Sequence, residues 1–389
     1  MTKQEQLWLI VPRDPLIFRD GKPFTGNPGE RANSLGFPYP STISGAVRTR
    51  SGSKPNGEFD VTRIEELLEK SIRGPMLVEL NGDDQISASY FPVPADALYV
   101  RKQPGDGLKL YALSPIDPPP GTQSDLKEIN LIGYPTRIEE KPEKDKAPHY
   151  WTWSTLKTWL EEAKDAEGSQ EGLGELKRDK RVHVSIRESQ TAEDGALFQT
   201  SGLEFVKPTM NEVRQLGLAV FTDAALTAGV DTLGGERRMV RWQTAETMEA
   251  VMPDPDCPPT IVEKILKSRH CRLVLITPAH FTDGFLPKHL KVLGVTVEGV
   301  ALPRYQTISG WDYKANEGKG QPKPTRRLAP AGSVYYLDLT KIKDDKDVVE
   351  FIKFIWLRAV SDEEQDRRDG FGIALLGTWD GTPKKMEVK

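Results

Sequence analysis

Three short segments of the sequence carry residues that suit phosphate binding. They are PSTISG at residues 40–45, LGGERR at residues 233–238 and DGFG at residues 369–372. Glycine lets backbone N–H groups approach an anion closely, a helix start offers unpaired N–H donors, and arginine adds positive charge. Each segment alone is an ordinary turn more often than a site, but together they favour a groove for an RNA backbone. The candidate residues are Ser41, Thr42, Gly234, Gly235, Arg237, Arg238, Gly370 and Gly372.

Two segments rich in glycine and proline carry a basic excess. Residues 13–50 contain six basic and three acidic residues, and residues 304–327 contain six basic and two acidic residues. Because the whole chain has a formal charge of −4, binding of nucleic acid must depend on such local patches. The alternative role of the arginines in the first segment is to form ion pairs with Asp14, Asp20 or Glu30 of the same chain. The predicted RNA contacts in the two segments are Arg13, Arg19, Arg48, Arg50, Lys323, Thr325, Arg326 and Arg327.

The sequence lacks the motifs of the common catalytic and metal sites. Its five histidines show no HxxxH or HExxH spacing, and neither GxSxG nor GxxxxGK[ST] occurs. Cys257 and Cys271 form no CxxC pair, so neither a zinc site nor a disulfide framework is indicated, and a reducing compartment fits best. We therefore predict no catalytic residue, no metal and no cofactor. His183 is expected to be structural, with acid–base catalysis of RNA cleavage as the alternative.

The composition predicts a soluble protein with two domains. A chain of 389 residues, 37% of them hydrophobic, is long enough for two cores of ordinary size. The first residues are polar, and no apolar stretch approaches the roughly 20 residues that span a bilayer. We therefore expect a cytoplasmic protein that makes no membrane contact.

The N-terminal elements flank the first basic segment. A strand is predicted at Leu7–Val11 and a helix at Thr42–Arg50, with Ser41 as the N-cap of the helix. A second helix is predicted at Val61–Arg73, where the capping box TRIE at residues 62–65 begins it and the following glycine and proline end it.

The later elements mix strands and helices, which is typical of α+β domains. Strands are predicted at residues 215–222, 271–277, 294–302, 333–339 and 373–379, and helices at residues 260–267 and 347–360. The helix at 347–360 is apolar on nearly all sides, so we expect it to be buried on a sheet.

Residues 116–180 have the character of an insertion, because they are rich in proline and charge and poor in strand signals. Ser154 is the predicted N-cap of a helix within it. Its tryptophans at 151, 153 and 159 are expected to attach the insertion to the main body, the alternative being an exposed patch for a partner. Residues 181–206 predict a β-hairpin with its turn at Glu193–Gly195.

Five segments together resemble a RAMP-superfamily subunit of the type III-B (Cmr) CRISPR effector complex, the one that binds the 5′ handle of the CRISPR RNA (crRNA). They occur in the order found in that family and span nearly the whole chain, apart from the insertion. The segments are PRDPLIFRDGKPF at 12–24, FPYPSTISGAVRTR at 37–50, LGGERR at 233–238, SGWDYKANEGKGQPKPTRRLAPAGSVYYL at 309–337 and GFGIALLGTW at 370–379.

This resemblance implies an α+β fold of two ferredoxin-like (RRM-like) RAMP domains, residues 1–205 and 206–389. The first domain would carry the insertion at about 116–180 and a hairpin thumb at 181–206, and the second would carry the glycine-rich loop at 370–372. We expect this loop, the Gly234–Gly235 turn and residues 323–327 to form a second wall of the RNA groove.

The resemblance also implies a non-catalytic, RNA-binding subunit in antiviral defence. Its partners would be the crRNA 5′ handle, the large polymerase-like Cmr subunit that makes cyclic oligoadenylate, and the adjoining backbone RAMP subunit, with target RNA contacted indirectly. Two alternatives stay open, namely a RAMP endoribonuclease that processes precursor crRNA and a scaffold that binds only proteins.

Overall fold

The protein forms two compact units in its computed structural model. The structure describes residues 5–19, 34–101, 103, 107–126, 129–186, 189–246, 251–312 and 321–387. The first unit comprises residues 1–87, 175–246 and 307–327, and the second comprises residues 88–174, 247–306 and 328–389. The units are therefore interleaved along the chain, and the predicted division at 205/206 falls inside the first unit. The prediction of a mixed α+β protein is confirmed.

An antiparallel sheet forms the core of the first unit. Five of its strands lie side by side in the order Ile72–Leu80, Val213–Thr222, Gln6–Pro12, Met239–Thr244 and Gly229–Thr232. The strand predicted at Leu7–Val11 thus has a neighbour on each side, and six of the seven residues of Gln6–Pro12 are buried. A strand that is covered on both faces needs no alternation of polar side chains, which explains its continuous apolar run.

Helix Pro40–Gly52 packs on the strand Ile72–Leu80 and contains the helix predicted at Thr42–Arg50. The predicted N-cap is wrong: the cap is Tyr39 rather than Ser41. Pro40 takes the first helical position, where its fixed φ angle suits the helix and its missing N–H would have had no partner.

The helix predicted at Val61–Arg73 is wrong in its second half. A 3-10 turn at Val61–Arg63 and a short helix at Ile64–Leu68 are followed by the strand Ile72–Leu80. The apolar spacing is helical, but Ile72 pairs with Thr222 in the sheet, and this tertiary pairing overrides local propensity. The glycine and proline predicted to end the helix lie inside the strand.

The predicted hairpin is confirmed. It forms a two-stranded sheet of its own, separate from the main sheet of the first unit. Its strands are Lys177–Ile186 and Ala192–Glu204. The predicted turn at Glu193–Gly195 is wrong, because these residues belong to the second strand.

A five-stranded antiparallel sheet forms the core of the second unit. Its order is Thr296–Ala301, Val334–Asp338, His270–Leu275, Ile373–Thr378 and Arg358–Ala359, so the strands predicted in this part of the chain are confirmed. The helices Pro259–Ser268 and Asp345–Ile355 pack on it. The second of these ends earlier than predicted and leaves Phe354 50% exposed, so it is amphipathic and not buried on all sides.

Most of the predicted insertion belongs to the second unit and helps to build its core. Helix Trp153–Glu161 packs against the strand Ile373–Thr378, and its N-cap is Thr152, not the predicted Ser154. The alternative of an exposed aromatic patch is wrong, because all three tryptophans are buried: Trp151, Trp153 and Trp159.

The remaining elements are short. The other strands are Ile86–Pro92, Ala97–Arg101, Lys109–Ala112, Ser114–Asp117, Ile132–Gly133, Lys141–Pro142, Tyr150–Thr152, Ala166–Glu167, Gly172–Leu173, Val206–Pro208, Gln306–Ile308, Trp311–Asp312, Gln321–Pro322, Arg326–Leu328 and Lys384–Lys385. The other helices are Lys288–Val292, Glu364–Arg368 and a 3-10 turn at Gly235–Arg237. Within the described ranges, no helix has the length and apolar character needed to cross a membrane.

A buried ion pair in the second unit, between Asp96 and Arg272, is hydrogen-bonded to Trp159 of the predicted insertion. The Arg272 guanidinium lies 2.6 Å from an Asp96 carboxylate oxygen, and the side chains are 2% and 0% exposed. Arg272 also donates to the carbonyl oxygens of Thr378 and Trp159, at 2.9 and 2.6 Å. Asp96 accepts the indole N–H of Trp159 at 2.9 Å. These additional hydrogen bonds offset the free-energy cost of burying the two charges.

We expect Asp96→Asn to lower the free energy of unfolding by about 3–5 kcal/mol, because the Arg272 charge would remain buried without its counter-charge. Glu350→Gln is the matched control, since Glu350 pairs with Lys353 at the surface and should change stability little. Thermal and urea unfolding of both variants test this. Equal unfolding midpoints for Asp96→Asn and the control would contradict the role given to the pair.

Candidate nucleic-acid interface

Two described stretches of the first basic segment, residues 13–19 and 34–36, lie together in the first unit, and we call them the loop neck. The Ser34 hydroxyl accepts from the N–H of Phe18 at 3.1 Å and donates to the carbonyl oxygen of Phe18 at 3.2 Å. The N–H of Leu35 also donates to the carbonyl oxygen of Phe18, at 2.7 Å. The two ends of the loop are therefore held together. Asp20 and Glu30, two of the acidic partners considered for the arginines, lie outside the described residues.

The LGGERR turn lies against the loop neck. Gly234 has φ +76°, and a Cβ atom there would collide with the carbonyl oxygen of Ile17. Gly235 donates its N–H to that same oxygen at 2.7 Å. On the far side of the turn, the N–H of Arg13 donates to the carbonyl oxygen of Met239 at 3.0 Å. These glycines thus hold the basic loop, and their role as direct phosphate ligands stays a prediction.

The predicted arginines around the neck differ in their exposure. Arg13, Arg19 and Arg237 are exposed. Arg238 pairs with Glu236 at 2.8 Å and its side chain is 18% exposed. All three exposed arginines belong to the first unit, and their contact with phosphate stays a prediction.

Arg48 and Arg50 have partners inside the first unit. Arg48 Nε donates to the carbonyl oxygen of Leu67 at 2.9 Å, at the C-terminal end of a helix where cations are favoured. Arg50 donates to the carbonyl oxygen of Thr227 at 2.9 and 2.7 Å and pairs with Asp231 at 2.7 Å. Pairing within the chain, the alternative considered for these arginines, therefore occurs at Arg50, but with a different aspartate.

The second basic segment lies beside the first helix. The phenol of Tyr39, the N-cap of helix Pro40–Gly52, donates to the carbonyl oxygen of Thr307 at 3.4 Å. The N–H of Lys323 donates to the carbonyl oxygen of Gly310 at 2.8 Å, which folds the segment back on itself. Among the predicted contacts in the segment, Lys323, Thr325 and Arg327 are exposed and Arg326 is half-buried, as are Ser41 and Thr42 near the start of the helix. The first basic segment and residues 307–327 of the second thus belong to the first unit.

The hairpin carries cations that sequence reasoning missed. Lys177, Lys180 and Arg181 of its first strand are exposed, and Val182 on the same strand is 68% exposed. The run KRDKR at residues 177–181 was the available signal. The acidic residues that precede this run in residues 116–180 offset its positive charge when charge is counted over the whole segment. Arg178 of the same run donates to the carbonyl oxygen of Ser34 in the loop neck, at 2.7 Å.

These observations agree with a comparison against known families. The model of the family CRISPR-associated protein (Cas_Cmr3) matches residues 8–379. The chain belongs to this family. The resemblance to Cmr subunits found in the sequence is thereby confirmed.

Solved structures and curated proteins were also compared with the chain. One similar structure is "Cryo-EM structure of the Type III-B Cmr-beta bound to cognate target RNA", with 18% identity, a TM-score of 0.45 and coverage of 85% of this chain and 86% of that chain. Another is the same assembly "bound to cognate target RNA and AMPPnP, state 1", with 18% identity, a TM-score of 0.43 and coverage of 90% and 88%. No curated protein matches.

The glycine-rich loop of this Cas_Cmr3 family member lies in the second unit and is tightly built. Gly370 has φ +91° and Gly372 has φ +84°. A Cβ atom at Gly372 would lie 2.9 Å from the backbone nitrogen of Ser361. The N–H groups of residues 370–373 donate to the carbonyl oxygens of Arg367, Asp366 and Pro278 and to the hydroxyl of Thr277. With these donors engaged, the loop favours a structural role over phosphate binding.

The histidines and cysteines of the family member have ordinary partners. His183 Nε2 lies 2.9 Å from the Thr200 hydroxyl in the hairpin. His280 Nδ1 lies 2.7 Å from a carboxylate oxygen of Asp366, a pair far apart in sequence that motif searching missed. Burial raises the pKa of the Cys257 thiol to about 12, so it stays protonated and unreactive at neutral pH. Among the residues that the structure describes, no three His, Cys, Asp or Glu side chains could hold a metal ion.

We expect Gly372→Ala to destabilise the protein more than Gly121→Ala. Both positions have positive φ, +84° and +90°, which costs alanine about 1–2 kcal/mol. Only at Gly372 does the added Cβ meet backbone, since nothing lies within 4 Å of it at Gly121. Thermal unfolding measures the difference. A normal melting temperature for Gly372→Ala together with loss of RNA binding would instead restore the glycine loop as an RNA contact.

Proposed function

We propose that this chain is the crRNA 5′-handle-binding subunit of a type III-B CRISPR interference complex, acting in antiviral defence without catalysing a reaction itself. In this proposal it bridges the large polymerase-like subunit and the adjoining backbone RAMP subunit, and its two units are built on ferredoxin-like RAMP domains. It works in the cytoplasm and contacts target RNA indirectly. Membership of the Cas_Cmr3 family supports the assignment to a Cmr complex.

One observation carries the RNA-binding part of the proposal. The first basic segment and residues 307–327 of the second belong to one unit, and a hydrogen bond between residues 268 positions apart, from Tyr39 to Thr307, joins them. Exposed cations from both segments, such as Arg13 and Lys323, therefore share one unit. A protein with a formal charge of −4 gains from gathering its cations in this way, because phosphate contacts dominate RNA affinity.

The loop neck supports the proposal through entropy. An unattached basic loop would lose much conformational freedom when RNA bound, and this loss would weaken binding. Here Ser34 forms hydrogen bonds with Phe18, and the Gly234–Gly235 turn contacts Ile17. These contacts hold the ends of the loop in place before RNA binds. Part of the ordering cost is therefore met during folding.

The non-catalytic part of the proposal rests on the chemistry of the possible nucleophiles and bases. Burial raises the pKa of both cysteine thiols, which disfavours the reactive thiolate. The Nε2 atom of His183 lies 2.9 Å from the Thr200 hydroxyl, and this contact within the hairpin supports a structural role for the histidine.

We expect Arg13→Ala combined with Arg19→Ala to weaken binding of an RNA that contains the cognate CRISPR repeat, and to flatten its salt dependence. Each lost phosphate contact on single-stranded RNA should reduce the slope of log affinity against log salt by about 0.7. Lys353→Ala is the control, because this exposed lysine lies on a helix of the second unit. An unchanged slope in the double variant would remove these arginines from the site.

Incubation of the full chain with labelled repeat RNA tests the proposal against its alternatives. We expect the RNA to be bound and protected at its original length. We also expect His183→Ala to leave RNA lengths unchanged in the assembled complex. Cleavage that His183→Ala abolishes would establish the endoribonuclease alternative, and absence of binding would establish the scaffold that binds only proteins.

A further inference from the structure

The hairpin is attached to both halves of the loop neck. Leu203 of its second strand exchanges two backbone hydrogen bonds with Leu16, at 2.9 and 2.7 Å. Arg178 of its first strand donates to the carbonyl oxygen of Ser34 at 2.7 Å. Arg178 and Leu203 are directly opposite each other in the hairpin. One cross-strand pair of the hairpin therefore contacts both Leu16 and Ser34.

Ser34 is the point at which these contacts meet. It is 6% exposed, and its hydroxyl already closes the loop on Phe18. Its carbonyl oxygen takes the charged hydrogen bond from Arg178, which is stronger than one between neutral groups. The orientation of the hairpin and the closure of the basic loop are therefore coupled through one residue.

We infer that Arg178 is a positioning residue that fixes the distance between the cations of the hairpin and those of the loop neck, and that it binds no phosphate itself. This inference rests on the proposed RNA-binding function. Exposed Lys180 lies two residues along the same strand, on the same face as Arg178, and Arg13 and Arg19 lie on the neck. With Arg178 in place, one RNA strand meets both groups of cations at a fixed separation.

The length of the arginine side chain matters for this role. A lysine at 178 keeps the positive charge but cannot reproduce the reach and planar donor geometry of the guanidinium. A phosphate ligand at an exposed position would tolerate that exchange, because lysine also binds phosphate as a point charge. The single conservative substitution Arg178→Lys therefore distinguishes a role of the positive charge from a role of the guanidinium in positioning the hairpin.

The test compares Arg178→Lys and Arg178→Ala with the matched control Arg358→Lys in the full chain, using a labelled RNA that contains the cognate CRISPR repeat. Arg358 is an exposed arginine of the second unit. We expect both Arg178 variants to bind about tenfold more weakly, and Arg178→Lys to keep the salt slope of the unmodified protein. Arg358→Lys should bind normally. Hydrogen exchange gives a second readout: the amide of Leu35 should exchange faster in both Arg178 variants and normally in Arg358→Lys.

Retention of normal affinity by Arg178→Lys would overturn the positioning role, and so would unchanged exchange at Leu35. Either result leaves the proposed function standing if the Arg13 and Arg19 double variant still loses affinity. Failure of the unmodified chain to bind the RNA would overturn the proposed function itself. Normal melting temperatures of the variants confirm that binding is compared between folded proteins.

Discussion

The fold of the second unit depends on one buried charge pair. Arg272 and Asp96 are almost completely enclosed, and the indole N–H of Trp159 and two backbone carbonyls complete their hydrogen bonding. Because a buried charge without a partner is costly, this set of contacts selects one packing of Asp96 and of helix Trp153–Glu161 against the strands His270–Leu275 and Ile373–Thr378. The helix of the predicted insertion is therefore part of the core.

The first unit presents cations at the surface of a protein whose net charge is negative. The strand Gln6–Pro12 inside its sheet is buried, while hydrogen bonds join its surface segments to a glycine turn, a hairpin and a helix cap. Guanidiniums there divide into two groups. Arg48 and Arg50 are half-buried and donate to carbonyl oxygens, whereas Arg13 and Arg237 are exposed; Arg178 is exposed and still donates to a carbonyl oxygen. Because Arg13, Arg48 and Arg50 all lie in the first basic segment, sequence position alone gives no way to separate these groups.

Prediction from the sequence worked where side chains decide the structure locally. The strand at Leu7–Val11 and the helix at Asp345–Ile355 were found, since burial produces a readable apolar pattern. It failed where a distant partner decides: Ile72 joins a sheet through Thr222, and the pair of Arg272 with Asp96 joins residues 176 positions apart. Among the candidate site residues, Gly234 and Gly372 have positive φ and close backbone contacts that only the fold reveals, and their contact with RNA stays a prediction.

The interleaving of the two units has a consequence for synthesis on the ribosome. The chain passes from one unit to the other at residues 87, 174, 246, 306 and 327. Strand Gln6–Pro12 pairs with residues 218–222 and 240–244, so its sheet partners are made only after residues 218–222 have been synthesised. Neither unit can be completed as a contiguous piece during translation. The nascent protein therefore exposes apolar strands for longer than a protein built of consecutive domains.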